Sequence, residues 1–318
     1  MSGRQRGAAL LTAMLIVTLV ASLAAAMVWR QYRAVQIEAA ERARAQSAWI
    51  LLGALDWARL ILREDLNADT RNNALIDHLG EVWAVPLEEA RLSTFLAADK
   101  DNSADTGPEA FLSGSIQDAQ AHYNLRNLLA EPARLTQELR ILARLCDSTG
   151  VPADTAPRLA SQLRAALSTT PETATAPLPP QRLEQLQWLG LSPAVIERLR
   201  PLVVLLPEPT PVNLNTAPQE VIAALFEGMD LGTASRLVER RRVEPLRNAA
   251  DVEALLPKGV TFDGQRAAFA SAFFIVEGRL RLEERGLQER SLVKRVRNEV
   301  QVLSRQRSPL LPDPTRSP

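Results

Sequence analysis

Residues 4–20, "RQRGAALLTAMLIVTLV", place two arginines and a glycine directly before an apolar run. No charged residue occurs from Ala8 to Val28. At about 1.5 Å of rise per residue this run gives about 31 Å of helix, which is enough to cross the hydrocarbon core of a membrane. Arg4 and Arg6 precede the run, so its start is predicted to stay on the cytoplasmic side.

A discarded signal peptide on a generic exported helical protein is one alternative for this segment. "SLAAAM", residues 22–27, offers the small residues that a signal peptidase needs. Against removal, residues 30–64 contain no proline and a single glycine, Gly53, and are rich in residues that favour helices. The sequence therefore predicts one continuous helix that begins in the membrane and ends packed on a soluble domain.

Apolar residues recur with 4-3-4 spacing near the end of this helix, in "WILLGALDWARLIL", residues 49–62. Such spacing places the residues on one helix face. The stripe is broad because it combines two adjacent rows. One row is Ile50, Ala54, Trp57 and Ile61, and the other is Leu51, Leu55, Ala58 and Leu62.

The short basic leader, Gly7 and the uncharged run resemble the N-terminus of type IV prepilin-like proteins. The resemblance implies that a membrane peptidase cuts between Gly7 and Ala8 and methylates the new N-terminus on Ala8. Most members of that family carry a glutamate at the fifth mature position, which is Thr12 here. A carboxylate in lipid needs a partner, and in pilins this partner is the N-terminal ammonium of the neighbouring subunit. Thr12 cannot make that pair, which favours a subunit with no neighbour beyond it.

Five further segments resemble signatures of the minor pseudopilin K family of type II secretion systems, in the family's order. They are "LGALDWARLILRED" (52–65), "DHLGEVWAVPL" (77–87), "SGSIQDAQAHYNLRNLL" (113–129), "VNLNTAP" (212–218) and "FFIVEGRLRLEERG" (273–286). The resemblance implies an α/β pilin-like fold, a long N-terminal helix plus an antiparallel sheet, with a large inserted all-α domain. It also implies a role at the tip of the pseudopilus, which would initiate assembly for protein export across the outer membrane.

The implied partners are the I-type and J-type minor pseudopilins, the pseudopilus, the prepilin peptidase and the inner membrane. On this hypothesis the row of Ile50, Ala54, Trp57 and Ile61 packs against the other subunits. The implied location is the inner membrane, crossed once, with the bulk of the chain in the periplasm.

Composition along the chain predicts the domain order. Leu, Ala, Arg and proline breaks are abundant between the strand-like segments near residues 113–118 and 273–282, which indicates an insertion. The predicted parts are a leader at 1–7, the transmembrane half of the helix at 8–29, the first part of the pilin-like domain at 30–128, the inserted helical domain at 129–268, the C-terminal strands at 269–303 and a disordered tail at 304–318.

Inside the insert, residues 211–241 resemble a helix-hairpin-helix module, and a membrane-anchored DNA-binding protein is therefore an alternative function. Thr216 is predicted to cap the first helix of this module. DNA binding would need backbone N–H groups at the hairpin to hold a phosphate. Glu227 and Asp230 stand where that phosphate would approach, so we expect protein docking and no nucleic-acid partner.

The segment "DKDNSAD", residues 99–105, spaces Asp99, Asp101 and Asp105 like the first half of a calcium loop. Ala104 and Ala110 stand where an EF-hand would have its glycine and its bidentate acid, so the match is incomplete. A solvated turn explains the same residues, whereas the family resemblance implies Ca²⁺. The expectation is that no cofactor is required and that Ca²⁺ is the metal to test.

The remaining composition predicts no enzyme and no small-molecule substrate. Lys+Arg and Asp+Glu are both 37, so charge balance gives no reason to expect a polyanion partner. Cys146 is the single cysteine and is predicted to be buried and inert, and His122 beside Asp118 is predicted to be structural. Four tryptophans are predicted to be core residues, namely Trp49, Trp57, Trp83 and Trp188.

Overall fold

The structure, a computed structural model, describes residues 4–72, 74–92, 110–167, 177–282 and 285–310, with side chains from Ala8 onward and without that of Arg285. Its first element is helix α1, Arg4–Asn72, of 69 residues. At about 1.5 Å per residue α1 is about 100 Å long. The long N-terminal helix predicted from the sequence is thus present, and its C-terminal part carries the rest of the protein.

The C-terminal part of α1 packs by one of its two apolar rows. Leu51, Leu55, Ala58 and Leu62 are 2%, 3%, 7% and 0% exposed, because they meet the sheet described below. Burying a leucine side chain contributes about 1.5–3 kcal/mol, so this row holds the helix to the domain.

A five-stranded sheet lies against α1. Its strands are in the order β1, β2, β7, β8, β9, and each adjacent pair is antiparallel. The bounds of its strands are β1 Leu87–Arg91, β2 Ala110–Asp118, β7 Phe273–Leu282, β8 Arg285–Val296 and β9 Glu299–Leu310. Alternation along β7 separates the two faces, as expected for a strand. Phe274 and Val276 pack with α1 and with Trp83, whose ring centroid lies 5.2 Å from that of Phe274. Phe273 and Ile275 face the insert.

The insert leaves the sheet at the end of β2 and returns at the start of β7, which confirms the predicted pilin-like fold with an inserted domain. It is mainly helical and consists of two units. In each unit, two short parallel strands pair, one near the beginning of the unit and one towards its end. β3 Tyr123–Asn124 pairs with β4 Val203–Val204, and β5 Val212–Asn213 pairs with β6 Ala267–Ala268. The prediction of an all-α insert did not include these strands.

The helices of the first unit are α2 Pro132–Ser148, α3 Thr155–Leu167 and α4 Pro193–Leu199, and those of the second are α5 Gln219–Leu225, α6 Leu231–Val243 and α7 Ala249–Glu253. Tyr123, Leu125 and Leu128 already belong to the core that these helices share. The insert therefore begins before residue 129, where the sequence had placed its start.

The C-terminal strands extend further than predicted. β9 runs to Leu310, which pairs with Gly286, so the prediction of disorder from residue 304 was wrong for residues 304–310. Pro309 is compatible with this strand because β9 lies at the edge of the sheet, where a missing backbone N–H is tolerated. Residues 311–318 lie outside the described part of the chain.

The prediction for the tryptophans holds only for Trp83, which is 1% exposed. Trp49, Trp57 and Trp188 are 72%, 53% and 49% exposed, so the core assignment was wrong for them. Apolar neighbours in sequence misled the prediction, because Trp49 and Trp57 lie off the helix row that meets the sheet.

Candidate functional site

The membrane-spanning candidate is the N-terminal part of α1. In the described chain, one helix is long and apolar enough to cross a membrane, with a mean hydropathy of 2.4 in its most apolar window. None of that window is buried inside the protein. The large apolar side chains from Leu10 to Val28 are all more than half exposed, so lipid is the environment that suits them. This arrangement fits a single-pass anchor.

The predicted cleavage site and Thr12, the residue that favours a terminal position, lie at the start of this helix. Gly7 and Ala8 are both part of α1. The Thr12 hydroxyl donates a hydrogen bond to the Ala8 carbonyl oxygen at 2.7 Å, so its polar group is satisfied within its own helix. Cleavage and methylation stay predictions.

The row predicted to pack against other subunits lies at the border of the protein's own core. Ile50 and Ala54 pack partly beside Leu51, and Ile61 packs partly against the cluster around Trp83. Trp57 is 53% exposed and is the member of the row that most clearly faces outward. The structure therefore divides the broad stripe into a buried Leu51 row and a border row around Trp57.

The border row opens onto a cavity of about 300 Å³ between α1 and the sheet, which we call the α1–sheet pocket. Ala54, Trp57 and Ile61 line it from the helix, and Val82 and Val85 line it from the segment that follows α1. Val82 and Val85 are 75% and 68% exposed. Exposed apolar side chains grouped around a cavity are typical of an interaction site.

A buried polar joint connects the insert to the sheet at Asp118, the last residue of β2. One oxygen of its carboxylate accepts hydrogen bonds from the Asn213 amide at 2.9 Å, the Thr216 hydroxyl at 2.6 Å and the Ser271 hydroxyl at 2.7 Å. The other oxygen accepts from the Gln120 backbone N–H at 2.7 Å. Burial raises the pKa of Asp118 to about 6, although the hydroxyl donors lower it.

The joint explains the segment "VNLNTAP" and corrects one prediction. Thr216 was expected to cap the following helix, but that helix is preceded by Pro218 and the Thr216 hydroxyl binds Asp118 instead. The Asp118 carboxylate binds the donors of this joint, and burial lowers the pKa of His122, which favours its neutral form. Burial raises the pKa of the Cys146 thiol to about 11, in agreement with an inert cysteine.

Beside the joint lies a carboxylate cluster that sequence reasoning missed, formed by Asp65, Asp77 and Glu81, with one oxygen of each within 4.8 Å of the others. The Arg295 guanidinium from β8 donates to Asp77 at 2.5 Å and to Asp65 at 2.6 Å. A metal ion would have to compete with this guanidinium, which already supplies positive charge. Asp65, Asp77 and Arg295 therefore form an ion-pair network that joins α1 to β8.

Glu81 is the third carboxylate of the cluster, and its pKa is strongly raised. Burial, reinforced by the negative charge of Asp65, raises the pKa of Glu81 from 4.5 to about 8. Its carboxylate accepts a hydrogen bond from the Trp83 indole N–H at 2.5 Å. The predicted calcium ligands Asp99, Asp101 and Asp105 lie outside the described residues.

The hairpin of the helix-hairpin-helix module does not suit a phosphate. The Asp230 carboxylate already accepts the Thr233 backbone N–H at 2.6 Å and caps α6. Glu227 is exposed beside it, with Arg140 3.5 Å away. An anion would meet two carboxylates here, which disfavours the DNA-binding alternative.

The arginines that end α6 are also engaged within the protein. Arg240 and Arg242 pair with Glu244 and Glu239. Arg241 is buried and donates to the Leu214 carbonyl oxygen, so this arginine is part of the packed insert and does not extend into solvent.

These features define a class of protein, a pilin-like domain on a long helix whose first half is apolar enough to span a membrane, with a two-unit helical insert. Family models for "Type II secretion system (T2SS), protein K" match residues 121–208 and 212–270, which closely follow the two units of the insert. The "Type II secretion system protein K" of Pseudomonas aeruginosa is 32% identical over 267 residues, covering 78% of this chain and 75% of the relative. The chain belongs to the type II secretion system protein K family, as its segments had predicted.

Two other similar proteins match this chain over most of its length. The protein K of Klebsiella pneumoniae is 29% identical, with 91% of this chain and 94% of the relative covered. A chain of the GspK-GspI-GspJ complex from the type 2 secretion system of enterotoxigenic Escherichia coli has a similar fold. Its TM-score is 0.58 at 18% identity, over 85% of this chain and 98% of that one.

Proposed function

We propose that this chain is a minor pseudopilin at the tip of the type II secretion pseudopilus, where it helps to initiate assembly for protein export across the outer membrane. The observation that carries the proposal is α1, whose apolar first half the protein leaves uncovered while the second half carries a folded domain. Membership of the protein K family gives this helix its context.

The proposed location is the inner membrane, crossed once, with the domain and its insert in the periplasm. Prepilin peptidase would cut between Gly7 and Ala8 and methylate Ala8. Mass spectrometry of the mature N-terminus tests this point. A methylated Ala8 supports it, whereas a chain that starts near residue 27 indicates a discarded signal peptide and contradicts the proposal.

The proposed partners are the I-type and J-type minor pseudopilins, because a related chain was solved in a GspK-GspI-GspJ complex. The surface would be the row of Ile50, Ala54, Trp57 and Ile61. Trp57 gives the cleanest test, since the other three also support the protein's own core. We expect Trp57→Glu to reduce co-purification of both partners, while the matched control Trp188→Glu, on the insert, leaves it unchanged. Equal behaviour of the two variants would contradict this surface.

The terminal position rests on Thr12 and on the insert. Thr12 has no carboxylate to neutralise the N-terminus of a further subunit, and the insert adds width to the domain. We infer that Thr12→Glu by itself leaves the subunit terminal, because the insert still blocks stacking. Electron microscopy of labelled pseudopili would reveal internal positions if this is wrong.

The proposed role is structural, with no catalysis, no required cofactor and neither nucleic acid nor a small molecule as partner. Calcium stays a prediction for Asp99, Asp101 and Asp105. A Ca²⁺ titration of the full chain in detergent tests it against the triple Asn variant. Binding that the variant abolishes supports the loop, and binding that survives shifts attention to other carboxylates.

A further inference from the structure

The α1–sheet pocket has a floor of unusual composition for a cavity with apolar walls. Its walls include Leu55, Val276 and Trp83, whereas Glu289 and Ser291 of β8 also line it. Both are deeply buried, at 3% and 1% exposed. They lie on the α1 side of the sheet, since their pairing partners are Gly278 and Val276 of β7.

Glycine leaves the middle of this sheet without side chains. A Cβ on Gly278 would lie 3.1 Å from the Leu51 side chain, and one on Gly114 would lie 2.7 Å from the Glu277 carbonyl oxygen. These two glycines therefore let the helix and the strands approach closely. The polar side chains of β8 stand beside this bare stretch and reach the cavity.

Two polar atoms of the floor have no hydrogen-bond partner among the described residues, Glu289 Oε1 and Ser291 Oγ. The second carboxylate oxygen of Glu289 is bound by the Arg307 guanidinium at 2.5 Å. A buried acceptor without a donor is unfavourable, and native proteins seldom leave one unfilled. The floor therefore has two acceptors without a donor among the described residues, two positions apart on the same face of β8.

The charge of the pocket indicates what would fill it. Its lining contains two charged residues from the described chain, Glu277 and Glu289, and both are acidic. A group with an apolar stem and a positively charged N–H donor at its end would match both the walls and the floor. Lysine and arginine side chains have this build, because their methylene stems pack on apolar surface.

The rim indicates that this group belongs to a protein. Trp57, Val82 and Val85 are more than half exposed and extend apolar surface outward from the cavity. A small ligand inside the cavity would leave them exposed, whereas a docked helix or loop would cover them. Aromatic anchors around a desolvated charge pair are typical of the centre of a protein interface.

We propose that the α1–sheet pocket receives a lysine or arginine side chain from a partner subunit of the assembly, with Glu289 and Ser291 as its acceptors. The inference rests on the proposed function for the identity of the partner. It adds that the contact has a charged anchor and is not purely apolar.

The test uses the full chain, co-expressed with the I-type and J-type subunits and purified from detergent-solubilised membranes. We expect Glu289→Gln, which keeps the shape but brings an N–H₂ group to the cation, to lower the co-purified partner about tenfold, as expected for loss of a buried charge partner. Ser291→Ala should lower it less. Glu299→Gln is the matched control, because it makes the same change at an exposed position of the neighbouring strand.

Arg307→Gln separates the anchor from the ion pair that already exists. If Glu289→Gln acts only by breaking its pair with Arg307, both variants lose partner equally, and the proposal is overturned. Circular dichroism and thermal unfolding check that each variant is folded. If Glu289→Gln is unfolded, Ser291→Ala decides, and no loss of partner with that variant overturns the proposal.

Two further outcomes keep this inference distinct from the proposed function. If Trp57→Glu releases the partners but Glu289→Gln does not, the packing surface stands and the charged anchor fails. Phenethylammonium serves as a free probe of the same chemistry. If it binds the isolated full chain and Glu289→Gln abolishes that binding without changing partner recovery, the occupant is a small amine and the protein anchor is overturned.

Discussion

The first half of α1 and the insert are both rich in apolar residues, but they use them in opposite ways. Leu15 and Met27 of the helix are 66% and 72% exposed, whereas Leu142 and Leu163 of the insert are 0% exposed. The insert completes its own core, whereas no part of the described chain covers the apolar side chains of the helix. On the proposed function, the same residue type contributes to folding in one region and to membrane anchoring and assembly in the other.

The largest expected effect tests this contrast directly. Leu163→Ala should lower the free energy of unfolding of the insert by about 2–5 kcal/mol, because it leaves a cavity in a closed core. Leu15→Ala should leave it unchanged, since no part of the described chain covers Leu15. Hydrogen exchange of the α2 and α3 amides in the full chain measures both. Equal effects would show that the helix and the insert fold as one unit.

The joint between the regions is the next test. Asp118→Ala removes the acceptor for three side-chain donors and should weaken the attachment of the insert to the sheet by about 1–3 kcal/mol. Asp118→Asn keeps an acceptor oxygen and should cost less. Faster hydrogen exchange near residues 119–124 and 269–273, with α2 still protected, is the expected result. Loss of protection in α2 would mean that the joint is part of the insert's core.

A pH titration tests the network beneath α1. Because the pKa of Glu81 is raised from 4.5 to about 8 in the folded protein, folding keeps a proton there that the unfolded chain releases. Its contribution to stability is therefore complete below about pH 4.5 and is lost as the pH rises through 8. Relative to Glu81→Gln, the wild type should lose stability over this window. Parallel curves for the two proteins would contradict the raised pKa.

The smallest effect is expected on the exposed surface of α1. Glu38 and Arg42 form an ion pair with side chains 63% and 74% exposed. Glu38→Ala should change the free energy of unfolding by less than about 0.5 kcal/mol, because such pairs are screened by solvent. Circular dichroism at low and high salt measures it. A larger loss would mean that surface charges, and not lipid and neighbours, maintain this part of the helix.

Local pattern predicted the parts of this fold that depend on neighbours in sequence. The spacing of Leu51, Leu55 and Leu62 predicted the helix face, and the segment around Phe273 predicted a strand, whose central place in the sheet the structure added. The exposed row around Trp57 could not be separated from the buried row, because spacing defines a face and does not say what covers it.

Long-range polar contacts were beyond the sequence. Arg295 meets Asp77 and Asp65 across 218 and 230 residues, and no local signal links them. Thr216 looked like a helix cap because its local context suits one, but tertiary contact with Asp118 overrides that preference. The prolines of residues 304–318 suggested disorder, but Pro309 fits β9 because that strand lies at the edge of the sheet.

The way the insert joins the sheet has a consequence for how this family can change. The chain leaves at Asp118 and comes back next to Phe274, its paired neighbour in the adjacent strand. Paired residues of antiparallel strands are about 5 Å apart, so the two ends of the insert lie next to each other. An insert with adjacent ends can become larger, become smaller or be replaced while the strands on either side keep their register. A transplanted domain with similarly close ends should be accepted at the same place.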